Sequence, residues 1–341
     1  MHVSLSELAL RIEQKYISVQ RHPTEELYIY NYTPKAQFEK LWDDLTLQCH
    51  GLILNASGEI KARPFRKFFN LEEHLPHEIP NEPFEVYEKM DGSLGILYWI
   101  AGIPYMASRG SFDSEQARKA TAMLHMKYAK SIPLLEQGKT YLFEIIYPQN
   151  RIVVDYGALE ELVLLAVIDT KTGQDLALKE IGFPLVKRYD GLHDLGLLKK
   201  LAEDNREGFV LKFESGFRVK VKFDEYVRLH RILTGVSNQL IWEMLKNNTP
   251  LDAILERVPD EFYTWVKQTS QQLLAAYQTI EDQCKQEFKV LEDRKTTALY
   301  FLTCRYPSIL FAMLDGRDYS YSIWKLIKPR HEKPFKTDPD Q

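Results

Sequence analysis

A lysine followed by an aspartate-glycine pair is the stretch of this 341-residue chain with the clearest potential for chemistry. Lys89, Asp91 and Gly92 lie between an apolar strand pattern and a second apolar run at 94–100. A lysine before a turn is ordinarily solvated, and Asp-Gly is a common turn pair. The alternative is that Lys89 is a nucleophile, an amine whose pKa is lowered by burial and nearby cations so that it can attack a phosphorus atom. Charged residues elsewhere in the chain separate the two interpretations.

Two glutamates and a pair of lysines fall on strand patterns further along the chain. Glu144 lies in the middle of residues 140–147, a run too apolar for an edge strand. A buried glutamate is rare unless it is paired or holds a metal. Glu207 begins a hairpin pattern, and Lys220 and Lys222 share one face of its second strand because strand side chains alternate with a period of two. Two adjacent ammonium groups repel each other, so an anion is expected between them.

A basic and aromatic segment at 61–70 combines four cations with three aromatic rings. This composition allows a solvated strand whose aromatic face packs on the core. It equally suits an edge that binds phosphates and bases. A later strand pattern at 104–108 ends in a turn that presents Arg109.

The composition indicates an ordinary folded protein, with 45% hydrophobic and 27% charged residues. A formal net charge of -4 excludes a uniformly basic nucleic-acid coat but leaves room for a local basic groove. The three cysteines are scattered and form no CxxC, which fits a reducing compartment and argues against a zinc site. There is no signal-peptide pattern and no apolar run of about 18 residues, so we expect a soluble cytoplasmic protein.

Periodicity divides the chain into a mixed part and a helical part. In the mixed part we predict helices at 1–20, 35–45 and 114–130. We predict strands at 28–32, 50–60 (a hairpin), 84–89, 94–100, 104–108, 140–147, 150–156, 161–168, 207–213 and 218–223. In the helical part we predict helices at 226–245, 250–258, 261–291, 296–304 and 320–327, and a flexible tail at 331–341.

Taken in order, these charged motifs resemble those of a known superfamily. The K-x-D-G lysine, the strand glutamate, the Glu-Gly pair and the K-x-K strand resemble motifs I, III or IIIa, IV and V of the covalent nucleotidyltransferases. These comprise ATP-dependent RNA and DNA ligases and mRNA capping enzymes. The amino-acid sequence of residues 62–70 and 143–153, together with the helical C-terminal part, is similar to that of the RNA ligase 1 family of the T-even phages. The resemblance covers most of 28–235. DNA ligases and capping enzymes continue into an OB-fold, which the helical pattern does not match.

The resemblance implies an α+β fold. Residues 1–225 would form a nucleotidyltransferase (ATP-grasp-like ligase) domain of antiparallel sheets flanked by helices. Residues 226–330 would form an all-α domain that confers RNA specificity.

The resemblance also implies roles for individual residues. Lys89 would be the nucleophile that accepts AMP. The cofactors would be ATP and Mg²⁺ or Mn²⁺, with the metal held mainly through waters by Asp91, Glu144 and Glu207. The phosphates of ATP would be bound by Arg63, Arg109, Lys220 and Lys222. Adenine would lie against Val210, with Glu88 backbone groups reading its edge.

The implied activity is ATP-dependent joining of RNA 5′-phosphate and 3′-hydroxyl ends through lysyl-AMP and RNA-adenylate. Its setting would be RNA or tRNA repair by a monomer. The sequence contains no GxxxxGK[ST] motif, so a separate kinase and phosphatase are expected to heal the ends. Two alternatives remain open: a non-catalytic RNA-binding relative, and a DNA ligase or capping-type nucleotidyltransferase.

Overall fold

The computed structural model describes residues 3–333 except 193, 202, 204, 256, 257 and 259. Its contacts divide the chain into two compact units, the first ending at Arg228 and the second beginning at Leu229. Residues 334–341, most of the predicted flexible tail, lie outside the described residues. Within the described part of the chain, no helix has the length and apolarity needed to cross a bilayer.

Three sheets build the first unit. The first has the order β1-β2-β3-β4, with strands Ile17–Arg21, Leu27–Tyr32, His50–Asn55 and Ile60–Ala62. The other two sheets are built from β5 to β14, which are Phe69–Asn70, Phe84–Lys89, Ser93–Ile100, Ile103–Ala107, Lys139–Ile146, Glu161–Asp169, Asp175–Leu176, Arg188–Tyr189, Gly208–Phe213 and Arg218–Lys222. The third sheet has the order β12-β6-β13-β14-β5. The second sheet takes the order β11-β10-β9-β7-β8 from the same strands. Pairing is antiparallel throughout these strands except between β14 and β5.

Helices flank these sheets and dominate the second unit. In the first unit they are α1 to α5, at Leu5–Glu13, Pro34–Phe38, Asp44–Gln48, Glu115–Met126 and Leu195–Leu198. Helix α6 (Asp224–Gly235) carries the chain from the first unit into the second. In the second unit α7 to α12 are Asn238–Lys246, Asp252–Leu255, Asp260–Glu287, Arg294–Thr303, Pro307–Leu314 and Ser320–Leu326. The structure is therefore α+β with antiparallel sheets and a helical C-terminal part, as predicted.

Strand β9 lies in the middle of the second sheet and is covered on both faces. Phe143 packs with Leu124 of α4 on one face. Leu142 packs with Ile53 of the first sheet on the other. The prediction that residues 140–147 are not an edge strand is confirmed, and the same burial encloses the one carboxylate in the strand.

The structure differs from the predicted elements where the backbone turns sharply. The helix predicted at 1–20 ends at Glu13, because Lys15 adopts a φ of 63° and the chain then forms β1. The helix predicted at 35–45 is two short helices, with Lys40 at a φ of 51° between them and Asp43 capping the second. The helix predicted at 226–245 is also two, since Ser237 caps α7. Helix α11 was not predicted.

Candidate active site

The register of the third sheet brings the predicted lysines onto one face. Lys89 lies opposite Gly208, which in turn lies opposite Lys222. Two residues further on, Val210 lies opposite Lys220. Directly opposed residues of antiparallel strands project from the same face. Four of the predicted site residues therefore share one surface, although they come from three strands that are far apart in sequence.

The Glu207 carboxylate joins two of these lysines. Its Oε2 lies 2.6 Å from Lys89 Nζ and its Oε1 lies 2.9 Å from Lys222 Nζ. Burial raises the pKa of Glu207, but the charges and hydrogen bonds of the two lysines outweigh burial and hold this pKa below its ordinary value. The carboxylate is thus ionised and positioned between both ammonium groups.

Gly208 allows this arrangement because it has no side chain between the two lysines. Its φ is +147°, and a Cβ there would lie 2.0 Å from the Val221 carbonyl oxygen. Such contact is far inside van der Waals distance. The Glu-Gly pair is consequently a geometric requirement of the three-strand register.

The pKa of Lys89 moves in the opposite direction from the one expected. Burial lowers this pKa, but the Glu207 and Glu144 carboxylates outweigh burial and raise it above its ordinary value. The lowered pKa expected for Lys89 is found at Lys220 instead. The pKa of Lys220 is well below its ordinary value because of burial and the charges of Lys89 and Lys67. Without nucleotide, Lys89 is therefore protonated.

Glu144 tethers the turn that carries Lys89. Its Oε1 accepts a hydrogen bond from the Gly92 amide at 2.8 Å. The turn at 90–92 leads from β6 of the third sheet to β7 of the second, so Glu144 on β9 faces the Lys89 amine across this junction. Loss of hydration raises the pKa of Glu144 to about 8, Lys89 lowers it in part, and the nearby Glu207 charge raises it.

Glu144 and Glu207 are two of the predicted metal ligands, and the charge of Glu207 acts on Glu144. Glu144 is enclosed beside a second carboxylate, and such a pair of anions is relieved by added positive charge. Within the described ranges, no group of three or more histidine, cysteine, aspartate or glutamate side chains could hold a metal by itself. Mg²⁺ keeps several waters and takes few protein ligands, so a site for it does not require three such side chains.

Asp91 makes contacts other than the metal ligation expected from the sequence. Its Oδ2 accepts hydrogen bonds from the amides of Val153 and Val154, both at 2.8 Å. Its Oδ1 accepts one from the Tyr226 hydroxyl at 2.7 Å. Both oxygens of this buried carboxylate are thus occupied by protein donors. Asp91 anchors the site to α6, and residues 150–156 do not form the predicted strand because their amides bond to Asp91.

Tyr226→Phe is expected to destabilise the protein by about 1–3 kcal/mol, because a buried Asp91 oxygen would lose its donor. Urea unfolding would measure the change. Tyr28→Phe is the matched control, since the partly exposed Tyr28 hydroxyl makes no hydrogen bond to any residue that the structure describes. An equal loss of stability in both variants would contradict the anchoring role of Asp91.

Glu144→Gln is expected to gain stability relative to the wild type as the pH rises. The folded-state pKa of Glu144 is about 8, above its ordinary value of 4.5. Its contribution to stability is therefore fully present below about pH 4.5 and is lost as the pH rises through about 8. Glutamine has no such dependence. In metal-free buffer, the variant's melting temperature relative to wild type should rise by at least about 2 °C between pH 5 and pH 9; a constant difference would contradict the raised pKa.

A second group of cations surrounds His50. The pKa of this histidine lies well below its ordinary value because of burial and the charges of Arg109, Lys220 and Lys67. Arg109 donates to the Tyr32 hydroxyl at 3.2 Å, while its buried Nε has no hydrogen-bond partner among the described residues. These cations, together with Lys222, form a positive wall beside Lys89. His50 and Lys67 were not singled out from the sequence, although Lys67 belongs to the basic and aromatic segment.

That segment supports the positive wall with aromatic rings. Lys67 Nζ lies 5.2 Å from the ring centre of Tyr32 and 5.4 Å from that of Phe69. Lys220 Nζ lies 4.8 Å from the ring centre of Phe68. Ammonium groups are attracted to ring faces, so the aromatics fix both amines without neutralising them.

Arg63 makes its hydrogen bonds with residues other than the predicted site residues. Its backbone amide donates to Thr140 Oγ1 and its Nε donates to the Thr170 carbonyl, at 2.9 and 3.1 Å. Thr140 is four residues before Glu144 on β9, about 13 Å along the strand. Arg63 Nη1 also donates to Gln48 Oε1 at 3.1 Å, and the buried Nη2 of Arg63 has no hydrogen-bond partner among the described residues.

Glu88 is placed beside the cluster, but its amide is already engaged. The Glu88 N–H donates to the Lys187 carbonyl at 2.8 Å, and its carboxylate lies 4.0 Å from Arg206 Nε. Val210 shares the Lys89 face by register. The Glu88 amide, already bonded to the Lys187 carbonyl, is not available to a ligand.

The chain is similar to known RNA ligases. A family model described as RNA ligase matches residues 48–226, a range that contains the predicted site residues. A candidate RNA ligase of Thermovibrio ammonificans is 34% identical over 53% of this chain and 52% of its own length. An RNA ligase of Rhodothermus phage RM378 is 25% identical over 90% of both chains. A solved archaeal ATP-dependent RNA ligase, 15% identical, superimposes with a TM-score of 0.48 over 93% of this chain and 97% of that one.

The chain thus spans about half the length of the Thermovibrio relative and nine tenths of the phage relative. The family match extends over more than half of its 341 residues. This chain belongs to the RNA ligase family, of the T-even phage RNA ligase 1 type.

Proposed function

We propose that this protein is an ATP-dependent RNA ligase that joins 5′-phosphate and 3′-hydroxyl RNA ends through lysyl-AMP and RNA-adenylate. The observation that carries the proposal is the Lys89 amine, held 2.6 Å from the Glu207 carboxylate on a face that also presents Lys220 and Lys222. A solvated turn lysine would have no reason for such enclosure.

In the first step, Lys89 Nζ attacks the α-phosphorus of ATP. The nitrogen–phosphorus bond forms, the bond from phosphorus to the bridging oxygen breaks, and pyrophosphate leaves with the electron pair. The ammonium must first lose a proton, and Glu207 is the acceptor nearest to it. The divalent cation that accompanies ATP would add positive charge near this amine and so favour loss of the proton.

The remaining roles follow from position. Lys222 and Lys220 bind the α-phosphate and its neighbours, while Arg109 and Lys67 orient the pyrophosphate. Adenine lies against Val210, and the Glu88 carbonyl accepts from its amino group. A divalent cation held through water by Glu144 and Glu207 would add positive charge at the α-phosphate. We give Arg63 no role here, because its hydrogen-bond partners Thr140, Thr170 and Gln48 are outside this set.

AMP then moves to an RNA 5′-phosphate, and a 3′-hydroxyl displaces it to seal the strand. The helical unit would position the substrate. We expect a cytoplasmic monomer acting in RNA repair, with tRNA among the candidate substrates and with separate enzymes healing the ends.

The test is joining of a labelled single-stranded RNA with a 5′-phosphate and a 3′-hydroxyl, in ATP or GTP with Mg²⁺. We expect circles or joined strands with ATP and none with GTP. Nicked DNA and an RNA with a 2′,3′-cyclic phosphate should remain unsealed. Sealing of nicked DNA in preference to RNA, or use of GTP, would move the assignment to the DNA ligase or capping class. Binding of RNA without joining would indicate a non-catalytic relative.

A further inference from the structure

Two lysines of the second unit rest on one buried tryptophan. Trp242 of α7 is 9% exposed, and its Nε1–H donates to the Trp324 carbonyl of α12 at 2.9 Å. Lys246 Nζ lies 5.1 Å from the centre of the Trp242 ring, and Lys328 Nζ lies 5.4 Å from it. Both amines are therefore fixed near each other by the packing of α7 on α12.

An exposed aromatic ring adjoins these amines. Tyr321 is 61% exposed, and Lys246 Nζ lies 4.7 Å from the centre of its ring. Cation–ring contact holds the amine beside the ring and leaves it charged. The surface thus presents a fixed positive charge next to an aromatic face that is open to solvent.

The segment that follows α12 extends the positive charge and is tied down. Asn238 Nδ2 donates to the Arg330 carbonyl at 2.7 Å, and Asn238 Oδ1 accepts from the Glu332 amide at 2.9 Å. Gln239 Nε2 donates to the Pro329 carbonyl at 3.1 Å. Residues 325–333 contain four lysines and arginines and a single acidic residue. The side-chain amides of Asn238 and Gln239 on α7 therefore hold a strongly basic segment in one place.

The cations of this surface form no ion pairs with the residues that the structure describes. Elsewhere in the same unit cations are paired, as for Lys285 with Glu281 and Arg294 with Asp315. Fixed, unneutralised ammonium groups repel each other, and the chain as a whole has a net charge of -4. A local basic surface on an acidic chain indicates an anionic partner.

We propose that Lys246, Tyr321, Lys325, Lys328 and Arg330, here called the α7–α12 surface, bind an unpaired RNA strand. The lysines and the arginine would contact successive phosphates, and a base would stack on Tyr321. Basic side chains beside an aromatic platform are the combination that single-stranded nucleic acids bind. The choice of RNA as the polyanion rests on the proposed function. The surface would act in substrate binding and not in the chemical steps.

The test compares Lys246→Ala/Lys328→Ala with Lys289→Ala/Lys295→Ala, two exposed lysines of the same unit outside the surface. Binding of a fluorescent single-stranded RNA is measured from about 50 to 200 mM salt, and lysyl-AMP formation is measured in parallel. In the first variant we expect about tenfold or weaker binding and a slope of log K against log salt that is shallower by about 1.4, for two lost phosphate contacts. The control should change neither, and lysyl-AMP formation should be unaffected in both.

Three further variants keep the proposal open to refutation if the first unfolds. Lys325→Glu/Lys328→Glu changes only exposed side chains and should weaken binding more strongly. Tyr321→Ala should weaken binding about fivefold or more without changing the salt slope, and Tyr321→Phe should restore it. Folded variants that bind RNA like the wild type would overturn the α7–α12 surface. A wild type that binds RNA but forms no lysyl-AMP would instead overturn the proposed ligase activity and leave the surface intact.

Discussion

Lys89→Ala is expected to abolish covalent transfer of AMP to the protein, because no other amine on this face takes the same position beside Glu207. The nearest alternative, Lys222, binds the other oxygen of the same carboxylate. Lys89→Arg should fail equally, since a guanidinium stays protonated and cannot attack phosphorus. The measurement is incubation with α-labelled ATP and Mg²⁺ followed by a denaturing gel.

Lys212→Ala is the matched control for this substitution. Lys212 is another lysine of the same sheet, and its amine is paired with Glu85 at 3.5 Å. We expect this variant to be labelled like the wild type. Labelling of Lys89→Ala above background would show that the nucleophile is elsewhere.

Gly208→Ala is expected to reduce adenylyl transfer by at least about 100-fold, through displacement of β13 from its neighbours. A Cβ at residue 208 would lie 2.0 Å from the Val221 carbonyl oxygen and 2.9 Å from Lys222 Cα. Either the strands separate or Lys222 moves, and both changes break the shared contact with Glu207. Labelling and thermal unfolding should be measured on the same preparation.

Gly216→Ala provides the comparison for the cost of a positive φ alone. Gly216 lies in the turn of the same hairpin at a φ of +85°, and a Cβ there would meet no atom closer than 3.9 Å. We expect a loss of about 1–2 kcal/mol in stability and normal labelling. If both variants lost labelling to the same degree, close packing at Gly208 would not be the reason for the Glu-Gly pair.

The charged positions of the site were visible in the sequence because each lies on a strand with a clear apolar pattern. Lys89, Glu144 and the lysine pair could be placed on strands from period and composition. Their convergence depends on which residues face each other across three strands. The β13–β14 register follows from a local hairpin turn, but β6 pairs with β13 across a long stretch of sequence, and no local pattern specifies that register.

The secondary-structure prediction is wrong where one side chain redirects a segment of backbone. Residues 150–156 have the apolar, β-branched composition of a strand, but Asp91 takes the amides of Val153 and Val154. Hydrogen bonds from such distant residues override local propensity. The direction of the Lys89 pKa was likewise not predictable, because it depends on a carboxylate at 2.6 Å that lies far away in sequence.

The most direct test of the central claim is the mass of the intact wild-type protein after incubation with ATP and Mg²⁺, followed by mapping of the modified peptide. We predict addition of one AMP, located on Lys89 and released by pyrophosphate or by an RNA with a 5′-phosphate. A protein shown to be free of bound AMP that gains no AMP, or that carries it on a different residue, would contradict the assignment of Lys89 as the nucleophile.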